Sequence, residues 1–188
     1  MKEIENALPS LAFEEIQNYI LGHEIPWYYH ENVTYPKDIT FREGDRDEES
    51  VEETKKIIEQ GVDKELAPYN YFHSHMVYFD CRVHSERVFD LLHPLISLLN
   101  PKALIRIKIN NYPQTPKIIH HQNHVDGNFK HNNALFYVNT NNGVTVMENK
   151  TEIASVENKL LLFDSNMLHR STTTSDTSRR ITININYF

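Results

Sequence analysis

From residue 100 onward the chain alternates between apolar and polar positions. Ile105, Ile107 and Ile109 are separated by Arg106 and Lys108. Ala134, Phe136 and Val138 are separated by Leu135 and Tyr137, and Ile181, Ile183, Ile185 and Tyr187 by Thr182, Asn184 and Asn186. A period of two sends successive side chains to opposite faces of a strand. Lys159–Asp164 has a further strand pattern, and turn formers punctuate the runs at Asn111-Tyr112-Pro113, Asp126-Gly127-Asn128 and Asn141-Asn142-Gly143. Many short strands with such spacing predict an antiparallel sandwich or barrel.

The first hundred residues read differently. Leu11, Phe13, Ile16, Tyr19 and Ile20 keep helical spacing after Pro9-Ser10, and Gly22 is a stop. Pro26-Trp27-Tyr28-Tyr29 predicts a short aromatic strand, 50–60 a second helix, and Tyr69–Phe79 a strand. Val88, Leu91, Leu92, Leu95, Ile96 and Leu99 predict a helix over 85–99, with a kink or break at Pro94. The chain has no internal repeat or linker, so the expectation is one domain, 1–188. Residues 1–100 form a helical support with the first strands, 101–188 form the β core, and the helices pack on one outer face.

Composition narrows the chemistry. With 188 residues and 39% hydrophobic content the chain can bury a real core. Its one Cys excludes a disulfide framework or a Cys-based zinc site and fits a reducing compartment. No apolar run is long enough for a bilayer. The N-terminus, MKEIENALPS, has no signal core, so a cytoplasmic location is expected. Residues 1–100 carry 9 Lys+Arg against 20 Asp+Glu, while 101–188 carry 10 against 6. The acidic excess peaks at Glu43–Glu53, read as a solvated segment. The mildly basic second half suits an anionic ligand but has no dense Lys/Arg stripe, so nucleic acid is not favoured as a partner.

Eleven His in such a chain call for a metal search. His124-Val125-Asp126 places an imidazole and a carboxylate on one side of an extended segment. His169 follows the 159–164 strand. Two His and one carboxylate make the facial set that leaves open positions on Fe(II). Arg180 opens the last strand on its polar face, sharing that face with Thr182 and Asn184, whereas Arg179 shares the apolar face with Ile181. A buried Arg there can anchor a carboxylate. His120, with the parity of His124, is read as an edge or surface residue. His73 and His75 are read as core or hydrogen-bonding residues, Trp27, Tyr28 and Tyr29 as core packing, and Cys81 as a small buried residue.

The segments INNYPQT, HVDGNF, NNALFYVNTNNG, NKLLLFDSNMLHRS and SRRITININYF together resemble the Fe(II)/2-oxoglutarate-dependent dioxygenases. The likeness is to prolyl-hydroxylase-like members, including small phage-encoded ones. It spans roughly 104–188 and extends more loosely through PWYY and YNYFHSH. It implies a double-stranded β-helix, or jelly roll, mainly β with flanking helices on one outer face. By the same resemblance His124, Asp126 and His169 match the iron ligands. Arg180 and Tyr137 match the residues that hold the far carboxylate of 2-oxoglutarate, and Tyr112 matches a pocket tyrosine. Leu135, Thr182 and Asn110 line the pocket by parity. One Gly, in Asn141-Asn142-Gly143-Val144, stands where the family often has two, and Glu148-Asn149 replaces an acidic-Gly turn. The implied cofactors are Fe(II), 2-oxoglutarate and O2, with ascorbate a candidate reductant. The expected reaction is hydroxylation of a C–H bond, first on a protein or peptide residue. The rival readings are a nucleobase or small-metabolite oxygenase and a non-catalytic jelly-roll binding module.

Overall fold

The longest alternating run becomes the middle of the structure. In the computed structural model, which describes residues 1–31, 33, 69, 71–127 and 129–188, β11 (Arg179–Tyr187) lies between β5 (Leu104–Pro113) and β6 (Asn132–Tyr137). Beyond β6 come β9 (Lys159–Asp164) and then β1 (Lys2–Ile4). Beyond β5 come β3 (Phe72–Phe79) and then β2 (Tyr28–His30), with the two-residue β4 (Arg82–Val83) also on β3. Every pairing is antiparallel. A second sheet has the order β10 (His169–Ser171), β7 (Val144–Met147), β8 (Glu152–Ala154). Two antiparallel sheets, as the alternation predicts, form with this crossing order the jelly roll that the resemblance implies.

β11 is buried on both faces, and its two residue sets have different neighbours. Ile181, Ile183 and Ile185 are fully buried on the outer face. There they pack with Phe13, Ile16 and Ile20 of α1 (Ser10–Leu21), Val88 of α2 (Glu86–Leu91) and Leu95 of α3 (His93–Leu99). Burying each such side chain contributes about 1.5–3 kcal/mol, so the helices are held to one face by the isoleucine row. The inner face meets the small sheet through a separate cluster of Leu135, Tyr137, Met147, Ile153, Leu161 and Phe163.

The helix expected over 85–99 is two helices. The chain breaks at Leu92, and Pro94 sits in the first turn of α3, where its missing N–H removes no helical bond. Two surface readings are corrected. Cys81 is exposed, because it occupies the β3–β4 turn with φ 56°. Tyr28 and Tyr29 are 62% and 60% exposed, because β2 is a short edge strand; Trp27 alone of that run packs on the core. The helix expected over 50–60 and the acidic segment 43–53 lie outside the described residues.

The N-terminus is strapped to the barrel. Asn158, at φ 57°, accepts from the Leu8 N–H at 2.9 Å and donates to the Leu8 carbonyl at 2.8 Å. Lys159 pairs with Glu3 and Glu5 at 3.2 and 3.1 Å. Asn158→Ala leaves two buried backbone groups unpaired and places a Cβ-only side chain in the left-handed region. We expect it to lower unfolding free energy by about 2–3 kcal/mol, read as a lower urea midpoint at unchanged slope.

Candidate metal centre

The segment between β5 and β6 crosses to the small sheet and meets β10 and the residue after it at isolated pairs, His124 with His169 and His120 with Thr172. The first pair is reciprocal. The His124 N–H donates to the His169 carbonyl at 2.9 Å, and the His169 N–H to the His124 carbonyl at 3.0 Å. Directly opposed residues in such a pair project to the same side, and the two imidazoles meet with centroids 4.6 Å apart. Val125 turns into the core, and Asp126 returns to the side of His124. One ligand atom from each of His124, Asp126 and His169 lies within 4.8 Å of the others.

Each ring is oriented from behind. Nδ1 of His124 faces the Gln122 carbonyl at 3.3 Å, and Nδ1 of His169 the Met167 carbonyl at 3.0 Å. A carbonyl partner places the proton on Nδ1 and leaves the Nε2 lone pair for a metal. Burial, with the neighbouring His169, pushes the His124 pKa down to about 4, so the ring is neutral at pH 7. Burial alone would raise the Asp126 pKa, but Arg106, the two histidines and Asn184 outweigh it and hold the carboxyl well below the usual range. The donor set therefore offers two imidazoles, that of His124 neutral, and one carboxylate, which fits Fe(II) with positions left open.

Asp126 and both histidines line a cavity between the sheets, about 460 Å³ with its mouth included. The large sheet supplies one wall: Lys108, Asn110 and Tyr112 from β5, Arg180, Thr182 and Asn184 from β11. The register pairs Arg180 with Tyr112, Thr182 with Asn110 and Asn184 with Lys108. Leu135 and Thr145 also line it.

Arg180 is fully buried. Its Nε donates to Ser155 Oγ at 2.8 Å, Nη2 to Thr145 Oγ1 at 2.9 Å and Nη1 to the Thr172 carbonyl at 3.3 Å. The rings of Tyr112 and Tyr137 flank it at 5.6 and 5.8 Å. No carboxylate lies within ion-pair distance among the described residues. A buried charge with only neutral partners is costly, and an anionic ligand in the cavity offsets that cost. Gly143 is part of the fit: a Cβ there would stand 2.6 Å from Arg180 Cδ and 2.7 Å from the Thr173 carbonyl. Arg179 turns to the outer face and donates to the Leu21 carbonyl at the end of α1.

The residues singled out by sequence thus fall mostly on one cavity. The metal set converges, and Arg180, Tyr112, Thr182, Leu135 and Asn110 line it. Tyr137 is set back from the lining, behind Thr145, to which its hydroxyl donates at 2.9 Å. Burial pushes its pKa up to about 12, so it remains a donor. His120 is exposed. His75 is buried with Nδ1 on the Pro26 carbonyl at 2.9 Å, and His73 lies against Tyr29 and Tyr71.

Sequence reading missed His121, which is buried, bonded to Ser171 Oγ at 2.8 Å and 5.2 Å from the Tyr112 ring. Parity pointed away from it because 120–124 is joined to β10 only by isolated pairs and is not a continuous strand. It also missed Arg106, Asn133 and Asn186 around Asp126. The face shared by Arg106 with Lys108 and Asn110, and by Asn186 with Asn184, was the available signal.

No protein-family model and no curated protein sequence matches the chain. Solved structures do. One is a prolyl hydroxylase from Trichoplax adhaerens in complex with a peptide fragment of the hypoxia inducible factor oxygen degradation domain. It is 16% identical, with a TM-score of 0.62, over 100% of this chain and 82% of that one. The chain has the fold of the 2-oxoglutarate–iron oxygenases. A second neighbour, the non-heme alpha ketoglutarate dependent epimerase SnoN from nogalamycin biosynthesis, has 9% identity and a TM-score of 0.52 over 99% of this chain and 76% of its own. This fold puts a His-Asp-His set and a buried guanidinium in one cavity.

His121 gives the site a pH signature. Burial, reinforced by the charge of Arg180, pushes its pKa down to about 3 from the usual 6.5. The unfolded chain takes up this proton near pH 6.5, whereas the folded chain does not until about pH 3. The contribution to stability is therefore full above 6.5 and is lost progressively as pH falls towards 3. His121→Gln should flatten the decline in urea stability between pH 7 and pH 5 by up to about one proton's worth of slope.

Proposed function

We propose that the chain is an Fe(II)- and 2-oxoglutarate-dependent oxygenase that hydroxylates a C–H bond. The observation that carries this reading is the pairing within one cavity of a His-Asp-His set with a fully buried Arg180 that has no carboxylate partner among the described residues. His124, Asp126 and His169 would hold the metal. Arg180 would take the far carboxylate of 2-oxoglutarate, with Thr145 and Ser155 keeping the guanidinium fixed and Tyr137 holding Thr145 from behind. Tyr112 packs between Phe72 and His121 and keeps that end of the cavity dry. The bound iron and 2-oxoglutarate supply the oxygen chemistry: O2, 2-oxoglutarate and R–H give succinate, CO2 and R–OH. The protein contributes orientation, charge neutralisation and exclusion of water.

The favoured substrate is a protein or peptide residue. Its support is the likeness in fold to a prolyl hydroxylase whose structure includes a peptide fragment. Succinate release across peptides, nucleosides and amino acids, followed by mass spectrometry for one added oxygen, identifies the substrate class.

Anaerobic addition of Fe(II) and 2-oxoglutarate to the full chain should give a visible charge-transfer band, and His124→Ala should abolish it. Arg180→Ala should weaken the 2-oxoglutarate dependence of that band by about 10- to 100-fold, from the loss of charge-assisted hydrogen bonds. Arg179→Ala, on the outer face, should leave it near the parent value. Absence of the band in the parent chain, or equal effects of the two Arg changes, defeats the assignment.

A further inference from the structure

The cavity has a third region, beside the line from Asp126 to Arg180. Lys108 and Phe72 form it, on the side of β3 and β2. Lys108 stands opposite Asn184 on β11 and opposite Met76 on β3. Its ammonium lies 5.5 Å from the centroid of the Phe72 ring, so the side chain leans over β3 rather than β11. An ammonium over a ring face at this distance is held there by the ring quadrupole. The His30 ring stacks on Phe72 at 4.7 Å, and its Nε2 meets Ser74 Oγ at 2.7 Å. Burial, with Lys108 and His73 beside it, lowers the His30 pKa, so this ring is neutral at pH 7 and Lys108 supplies the positive charge. Tyr28, opposite Ser74 on β2, is exposed and carries this shelf to the sheet edge.

The two ends of the cavity already match a cation at Asp126 and an anion at Arg180. Lys108 adds a second cation off that line. An ammonium in a partly closed cavity favours a further anion, because the attraction strengthens where water is excluded. Its three donors let it take one alongside the contacts it already makes. We propose that Lys108 is a specificity-determining residue, and that the second substrate is a peptide with a carboxylate side chain beside the residue that is oxidised. The inference rests on the peptide reading of the preceding section. In an unmodified peptide the carboxylate is that of Asp or Glu. It takes the ammonium, while the neighbouring peptide atoms lie on Phe72 and His30 and leave past Tyr28.

The probes are three sets of fluorescein-labelled peptides, identical except for Glu, Gln or Lys beside a varied central residue. Anisotropy follows their binding to the full chain with Fe(II) and 2-oxoglutarate under nitrogen, where no turnover occurs. Succinate release in air gives kcat/KM for the same sets. For the parent chain we expect the Glu set to bind about 10-fold more tightly than the Gln set, the size of one charge-assisted hydrogen bond. Lys108→Met should erase this difference, and Lys108→Glu should reverse it in favour of the Lys set. A purely structural role would lower the thermal midpoint and weaken all sets equally, which overturns the proposal. So does a parent with no preference for Glu, or a preference that survives Lys108→Met; both leave the peptide reading intact. If one variant does not fold, the other decides. If no set binds or is turned over while the charge-transfer band is present, the peptide reading falls and this proposal with it, and the oxygenase reading stands.

Discussion

A guanidinium buried with no carboxylate beside it among the described residues is the constraint around which the inner face of this protein is arranged. In a low-dielectric interior an unpaired charge costs several kcal/mol even after relaxation. Arg180 is surrounded by neutral acceptors from three directions: Ser155, Thr145 and the Thr172 carbonyl. These bonds satisfy donors without neutralising charge. His121 beside it stays neutral, because a second cation there would add repulsion to the burial cost. At Gly143 there is no room for a Cβ against the Arg180 stem. A single Gly in that loop is therefore sufficient for the close approach.

The same strand that buries this charge also closes the hydrophobic core. Odd positions of β11 supply isoleucines to the helices, and even positions supply Arg180, Thr182, Asn184 and Asn186 to the inner face. A one-residue slip would exchange the two sets. It would put the guanidinium among isoleucines and the isoleucines in the cavity. The core thereby enforces the register that the site needs, and the site adds a penalty against the wrong one. Fold stability and ligand geometry are two consequences of one alternation.

That alternation is why the fold was legible. Strict period two in 105–109 and 181–187 named the central strands and chose Arg180 over Arg179, and the structure sends the two Arg side chains to opposite faces. The HxD spacing and the distant His169 were legible because metal chemistry needs those donor types. What could not be read were relationships made only by folding. Arg106 and Asn186 are far apart in sequence and become partners through the β5–β11 register. His121 is buried where 120–124 departs from regular strand geometry, so counting by twos carries no signal for it, and His120 is exposed as the edge or surface reading expects. Tyr28, Tyr29 and Cys81 were misplaced for a different reason. Apolar character was taken as burial, yet an edge strand and a tight turn leave such residues outside.

The cavity is polarised along its length, and that polarity restricts what can enter and in which direction. At one end Asp126 keeps its negative charge, and beside the neutral His124 ring it favours a cation. At the other end Arg180 favours an anion. The cross-strand pairs between them, Thr182 with Asn110 and Asn184 with Lys108, step from one end to the other. A ligand with a chelating head and an anionic tail is stabilised in one orientation and opposed in the reverse, because reversal would leave Arg180 without its anion. The protein can thus set orientation before any chemistry occurs, with charges placed by strand register and kept strong by exclusion of water. On the proposed function, specificity for the second substrate would come from groups outside this axis, since metal and dianion would occupy the axis itself.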